Sequence, residues 1–386
     1  MPKILHIAPD EKFIDSVNYQ FEKIYKEQNH FIILVQKENH KLKYIKTIKS
    51  IELLILTQKT LKKLLATFDK YDIIVLHGMS FSNSRIVLKY KQKEKFIYIF
   101  WGGEIYNNPY GLGKTSIGQK TRNHFPVNKN IKGKIRQFVQ HFVHPIKYGT
   151  PPIKKSIIKA IKQVFYIGIL HKEDFNMLKN NNFISSKTAY FKYSYYPLEF
   201  IFKGIKDVRV TDNNILLGNS ASASNNHLEA FSILKRLNLN TVKVITPLSY
   251  GSKEYANEII KIGKQELGDN FQPITKFIPL EEYNQYLKQC GIVIMNHYRQ
   301  QAVGNILAMI WMGAKVYLDK RNTVYHYLKR IGIIVFSISD DLVPENINAL
   351  TLLSEKEIRN NKSILINEIG EEQLLNSIRM QIESSK

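Results

Sequence analysis

Short runs of apolar residues recur along the chain, separated by longer stretches in which apolar positions fall at helical spacing. In the first half the runs lie at 4–7, 31–35, 51–56, 73–77, 96–101, 164–168 and 189–193. Between them, stretches such as 15–27 and 60–68 repeat their apolar residues every three or four positions, the signature of an amphipathic helix. The second half is more regular. Runs at 215–217, 242–246, 275–278, 292–295, 315–318 and 333–336 alternate with helical patterns near 225–237, 253–267, 281–289, 301–313 and 323–330, and 352–386 reads as mostly helical. Strands that are apolar throughout, rather than at every second residue, are buried on both faces. Alternating with helices, they predict parallel sheets with helices on either side. The polar stretch 203–214 separates the halves and reads as a linker. The pattern therefore predicts an α/β chain of two Rossmann-like domains, 1–205 and 206–386, facing a cleft. In open sheets of this kind a ligand sits beyond the carboxyl ends of the strands.

Composition narrows the function classes. A chain of 386 residues exceeds one ordinary core, in keeping with two domains. Its one cysteine, Cys290, excludes disulfides and a cysteine-ligated zinc site. The eleven histidines include no pair at convincing ligand spacing, so no metal and no cofactor is expected. No apolar stretch approaches the length of a membrane span, and residues 1–10 read as a strand rather than a signal peptide.

The formal net charge of +23 calls for a polyanionic partner. It is concentrated: between Glu104 and Glu173 there is no acidic residue, while basic ones recur throughout. Two amphipathic helical patterns lie there. One, at 131–143, carries Lys132 and Arg136 away from its apolar face. The other, at 153–165, sets Ile153, Ile157, Ile158, Ile161, Val164 and Phe165 against Lys154, Lys155, Lys159 and Lys162. Its end overlaps the strand expected at 164. A basic face of this kind suits an anionic lipid surface, each cation contributing roughly 1 kcal/mol near such a surface. Nucleic acid is the alternative partner for so basic a chain. Against it, the cations are interleaved with isoleucines and no nucleic-acid motif is present.

Two turns carry candidate chemistry. Gly218-Asn219-Ser220 follows an apolar run and leads through small polar residues into a helical pattern. Downstream, Arg299-Gln300-Gln301 leads to Gly304-Asn305 at the start of another helix. Both bring backbone N–H groups and a helix amino-terminus to where an anion can sit, and together they point to a nucleoside diphosphate. The chain contains no Asp-x-Asp motif, so the diphosphate charge falls to these N–H groups and to Arg299. Tyr250 is placed to stack on the nucleotide. In the first half, Trp101-Gly102-Gly103-Glu104 ends a strand in a carboxylate, and Glu104 is the candidate base or stabilising anion. His77, at another strand end before Gly78, is the competing base; His6 lines the same edge. Gly111-Leu112-Gly113-Lys114-Thr115 lacks the first glycine of a phosphate loop, its position being Asn108.

Taken in order, Trp101–Tyr106, Leu217–Ser220, Asn225-Asn226-His227-Leu228, Val242–Pro247 with Tyr250, and Arg299–Gly304 resemble the 4-acetamido-4,6-dideoxygalactose (Fuc4NAc) transferases of enterobacterial common antigen synthesis. His6 and His77-Gly78 fit as well, and the resemblance runs from the first strand to about Phe336. It implies a GT-B glycosyltransferase, a hexosyltransferase peripheral on the cytoplasmic face of the bacterial inner membrane. It implies a TDP-sugar donor and a polyprenyl-diphosphate-linked acceptor. The chain departs from that pattern at Ala221–Ser224, where charged residues are usual, at Ala302, where glycine is usual, and at Glu104, where aspartate is common.

Overall fold

The computed structural model describes every residue except Lys49, Lys114, 127–142, Phe202, Lys203, Ser385 and Lys386. The chain divides into two compact units. The first comprises Met1–Gly113, Lys129–Pro197 and Glu371–Lys386, and the second Lys114–Asn128 and Leu198–Gly370.

The first unit is built on a seven-stranded sheet of β1 (Ile4–Ala8), β2 (Asn29–Leu34), β3 (Ile51–Leu54), β4 (Ile73–His77), β5 (Phe96–Ile99), β6 (Tyr166–Ile169) and β7 (Ala189–Lys192). Their order is β3-β2-β1-β4-β5-β6-β7, with every pairing parallel. Alternate residues of the central strands feed two cores, as period-two geometry requires. Leu5, Ile7, Ile74, Leu76, Phe96 and Tyr98 share one with residues of the helices Phe81–Lys89 and Ile153–Ile161. Ile4, Ala8, Val75, Ile97 and Ile99 share the other with Val17 and Phe21 of helix Ile14–Ile24 and Ile378 and Ile382 of helix Glu371–Glu383. Two-sided burial is why these strands are apolar throughout.

The second unit repeats the plan with β8 (Ile215–Leu217), β9 (Val244–Pro247), β10 (Phe271–Ile274), β11 (Ile292–Met295), β12 (Lys315–Leu318) and β13 (Phe336–Ser337), in the order β10-β9-β8-β11-β12-β13. In both sheets the first strand lies beside the fourth: β1 beside β4, and β8 beside β11. There the winding reverses, and the loops leaving the two strands part to open a crevice.

Several expectations need correction. The strand expected at 275–278 lies earlier, at Phe271–Ile274, and contains Pro273. It is an edge strand, so the missing proline N–H costs no ladder bond. The last strand is Phe336–Ser337 rather than 333–336. The unit boundary falls at Pro197/Leu198 rather than 205/206, residues 114–128 belong to the second unit, and the final helix belongs to the first. Polar composition hid these crossings, because it reports exposure and not which core a segment joins. The stretch read as a linker is tied down: Val210 N–H donates to the Met312 carbonyl (3.0 Å) and Thr211 N–H to that of Lys288 (2.8 Å).

The basic helix Ile153–Ile161 is a further correction. Its Ile157, Ala160 and Ile161 are buried in the first unit's core, with Val164 just beyond, so these side chains are not available for insertion into lipid. Helix and strand both survive near 164, the helix ending at Ile161 and β6 starting at Tyr166. Lys154, Lys159 and Lys162 are exposed, and Lys155 is half-buried with its ammonium 5.3 Å from the centre of the Tyr110 ring. Lys132 and Arg136 lie outside the described residues. No described helix is long and apolar enough to cross a membrane.

Candidate active site

In the first unit, His6 on β1 and His77 at the end of β4 meet at the winding reversal. Their Nδ1 and Nε2 atoms are 3.2 Å apart, and both rings are buried. The His6 ring stacks on Phe31 at 4.4 Å with 8° between the planes. A hydrogen-bonded chain fixes which nitrogen of each ring carries a proton. The Trp101 indole can only donate, and its Nε1–H reaches the Tyr195 hydroxyl at 2.7 Å. Tyr195 gives its own proton to His77 Nδ1 at 3.0 Å. His77 is thereby protonated on Nε2 and donates to His6 Nδ1. His6, protonated on Nε2, then faces Asn29 Oδ1 at 3.5 Å. Asn29 Nδ2 donates onward to Glu22 Oε1 at 2.7 Å. Every link then has one donor and one acceptor with both imidazoles neutral. Burial drives His6 down to about 3, the Asn29 bond only partly offsetting it. His77 lies well below the ordinary imidazole range, through burial and then the neighbouring His6.

Glu104 lies in the short helix Gly103–Tyr106 after β5. Its Oε1 accepts the Met79 N–H at 3.0 Å, which clasps the loop after β4. Oε2 and the Tyr98 hydroxyl are both buried and make no completed hydrogen bond, yet each perturbs the other. Burial raises the Glu104 carboxyl above its usual range, opposed by the N–H of Met79, its own N–H, Tyr98 and the Trp101 backbone. Gly78 has φ +75°, and a Cβ there would stand 2.9 Å from Trp101 Cδ2, so the indole packs against this glycine. His77, Glu104 and His6 are thus on one sheet edge, with Trp101 and Tyr195 linking them.

In the second unit the crevice between β8 and β11 gathers the residues singled out from the sequence. Gly218 has φ +68°. A Cβ would lie 2.6 Å from Asn225 Oδ1 and 2.9 Å from His227 Nε2, so glycine is required here. Asn225 organises the loop: its Oδ1 accepts from the Asn219 N–H and from His297 Nε2, both at 2.9 Å, and its Nδ2 donates to the Ser220 carbonyl at 3.0 Å. Gln301 joins the two loops, donating to Asn219 Oδ1 at 3.2 Å and accepting from Ser224 Oγ at 2.7 Å. Ala302 follows at φ 57°, a left-handed conformation natural to glycine, and turns the chain into helix Val303–Met312. The first N–H groups of that helix have no intrahelical partner, its first turn holds no acid, and Gly304 faces open space. Asn305 is half-buried in the same turn.

Arg299 Nη1 donates to the Gln300 carbonyl at 3.3 Å, and its charge helps lower His297, which burial first takes to about 3. The Tyr250 ring is 80% exposed, while its carbonyl accepts the Ala221 N–H at 2.7 Å, tying its loop to the Gly218 turn. Among the described residues no group of His, Cys, Asp and Glu side chains is arranged to hold a metal ion.

Sequence reasoning gave no site role to Tyr195, Asn225, His297 or the Tyr298–Arg321 pair. Arg321 lies 3.3 Å from the Tyr298 ring centre, and its Nε and Nη2 donate to Asp319 Oδ1 and Oδ2, both at 2.7 Å. Position alone held a signal for His297 and Tyr298, since both follow the strand at the reversal. Tyr195 lies far along the chain from its partners, and no local pattern marks it.

Residues 176–358 match the family described as 4-alpha-L-fucosyltransferase, glycosyl transferase group 56. Among solved structures, the chain is similar to a glycosyltransferase from Rickettsia africae ESF-5, at 12% identity and a TM-score of 0.60 over 99% of this chain and 98% of that one. It is similar to Anabaena HepE in complex with UDP and glucose, at 10% identity and 0.58 over 100% and 99%. It also resembles an alpha,alpha-trehalose 6-phosphate synthase from Burkholderia multivorans, at 10% and 0.55 over 100% and 98%. Identities this low speak for the fold, and the family match speaks for the chemistry. Taken with two parallel sheets that each reverse at a loop-lined crevice, they make this chain a nucleotide-sugar glycosyltransferase of the GT-B type, whose residues 176–358 are similar to the group 56 family.

Proposed function

We propose that the chain transfers an amino-deoxy sugar of the Fuc4NAc kind from a TDP-sugar to a polyprenyl-diphosphate-linked saccharide at an anionic membrane face, in bacterial surface polysaccharide synthesis. The observation that carries the donor half is the Gln301 link. It holds the Gly218 turn and the start of helix Val303–Met312 together beyond the ends of two adjacent strands. In this reading, backbone N–H groups of both loops and Arg299 take up the diphosphate charge as the glycosidic bond breaks, with Gln300, Gly304 and Asn305 lining the turn. Tyr250 covers the base.

Glu104 is the base for the acceptor hydroxyl. Burial raises its carboxyl above the usual range and so makes it a stronger base, whereas both nitrogens of His77 are committed within the relay. A rival base is Glu11, half-buried in the loop after β1, whose charge acts on Tyr195 and Tyr196. The exposed lysines of helix Ile153–Ile161, with the exposed Ile146 and Val143 nearby in sequence, supply membrane attraction.

The test is a stability shift with TDP, UDP, GDP and CMP in the absence of divalent metal. TDP should stabilise most, by about 2.7 kcal/mol at a hundredfold excess over Kd, and Arg299→Ala should lose most of that shift. An unchanged shift in the variant, or a larger one with UDP, would overturn the donor assignment.

A further inference from the structure

Among the described residues, one guanidinium away from those discussed above has no anionic partner. Arg85, in helix Phe81–Lys89, is 3% exposed. Its Nη1 donates to the Leu56 carbonyl at 2.8 Å, but Nε and Nη2 are buried and make no hydrogen bond. Arginine does not shed its proton in a protein, so burial leaves a charge with half of its donor edge unused. The faces of the group are occupied: the Tyr148 ring centre is 5.2 Å away and that of Phe81 6.0 Å. Ring faces stabilise the cation but do not satisfy N–H groups at its edge.

The surroundings add further polar and cationic groups. His144 is 7% exposed, packs against Tyr148 at 5.1 Å and Phe81 at 5.3 Å, and its Nδ1 is buried without a partner. The Lys147 ammonium lies 5.4 Å from the Tyr148 ring centre. Lys89 Nζ is the atom nearest to Gly149, 3.0 Å from where a Cβ would stand. The Thr150 hydroxyl, next along the chain, is also buried without a partner. The segment from Ile105 to Lys172 supplies no carboxylate to answer any of them. A structural arginine buried this far needs an acid or a set of carbonyls, and among the described residues this one has a single carbonyl.

We infer that Arg85, with Lys89, His144 and Lys147 around Tyr148, forms a binding site for a diphosphate group. Resting on the proposed function, we assign its occupant as the diphosphate of the lipid-linked acceptor. The free donors of a planar guanidinium fit two phosphoryl oxygens, and the aromatic rings hold the fork in place for them.

The experiment uses the full chain in phosphate-free buffer with TDP present in excess to fill the donor site. Calorimetric titration with inorganic pyrophosphate should give saturable binding. Arg85→Lys, which keeps the charge but loses the fork, should weaken it at least tenfold, and His144→Asn severalfold, with TDP affinity unchanged in both. Arg85→Met guards against a purely structural role. Removal of an unpaired buried charge should leave the unfolding temperature in anion-free buffer at or above that of the wild type, and abolish the pyrophosphate shift. No pyrophosphate binding to the TDP-saturated wild type, equal binding by Arg85→Lys, or a large fall in the unfolding temperature of Arg85→Met would overturn the site. Geranyl diphosphate separates the two readings. If it binds through Arg85 at least as tightly as pyrophosphate, both stand. Pyrophosphate bound through Arg85 with geranyl diphosphate excluded supports the diphosphate site while the lipid-acceptor reading fails.

Discussion

Tyr195→Phe tests the relay of the first unit. The substitution keeps the ring, which lies 4.3 Å from Phe13, and removes one oxygen. That oxygen accepts from Trp101 at 2.7 Å and donates to His77 at 3.0 Å, so two polar atoms lose their partner at once. A buried group left unsatisfied costs about 1–3 kcal/mol. His77 is fully enclosed, whereas Trp101 is half-exposed and can recover part of its bond from water, so a total of roughly 2–4 kcal/mol is expected. For a unit of this size 1 kcal/mol moves the midpoint by about 2–4 °C, so calorimetry should show the first unit melting roughly 4–16 °C lower. A second readout follows from the proton order. With Tyr195 in place, nitrogen NMR should find both His6 and His77 protonated on Nε2 and non-titrating from pH 8 to pH 5. In the variant, His77 has no donor to its Nδ1 and should populate both tautomers. A midpoint within a degree of the wild type together with an unchanged His77 spectrum would refute the relay.

Gly218→Ala should abolish stabilisation by TDP with a modest loss of intrinsic stability, because its Cβ would press on Asn225 Oδ1, the atom that organises the loop; TDP binding within threefold of the wild type would contradict the assignment. Glu104→Gln should lower transfer by about two to four orders of magnitude while TDP still binds. Since the folded carboxyl is raised above the usual 4.5, wild-type stability should fall as pH rises from there through the raised value, and the variant should lose that slope in denaturant titrations. In the second unit, His227 and His297 are both held near 3 by burial, so the unfolded chain binds more protons below its own imidazole range. Their stabilisation is intact above about pH 6.5 and is lost on acidification at about 1.4 kcal/mol per pH unit for each. Near-ultraviolet circular dichroism should show a steep acid transition with an onset between pH 6 and 5, and flat stability down to pH 4 would rule this out.

Much of the fold was legible because strands buried on two faces must be apolar at consecutive positions. That requirement marks β4, β8, β11 and β12 at their observed bounds. The loops at the crevice between β8 and β11 were legible for a related reason: a turn that brings backbone close to an anion needs small residues, so Gly218–Ser220 and Gly304-Asn305 stand out locally. The edge strand Phe271–Ile274 was displaced in the sequence reading because an edge relaxes the rule, tolerating Pro273 and an exposed Gln272. The isoleucines of Ile153–Ile161 show the limit of periodicity. A helical apolar stripe states that something covers it, and only the packed unit decided that the cover is core rather than lipid. The same holds for chemistry spread along the chain. His6, His77, Trp101 and Tyr195 come from four separate segments, and Arg85 meets Tyr148 across a long separation. Local spacing constrains only residues a few positions apart. Which distant donors and acceptors complete one another, and which buried cation is left without an acid, is decided when the strands take their order in the sheet.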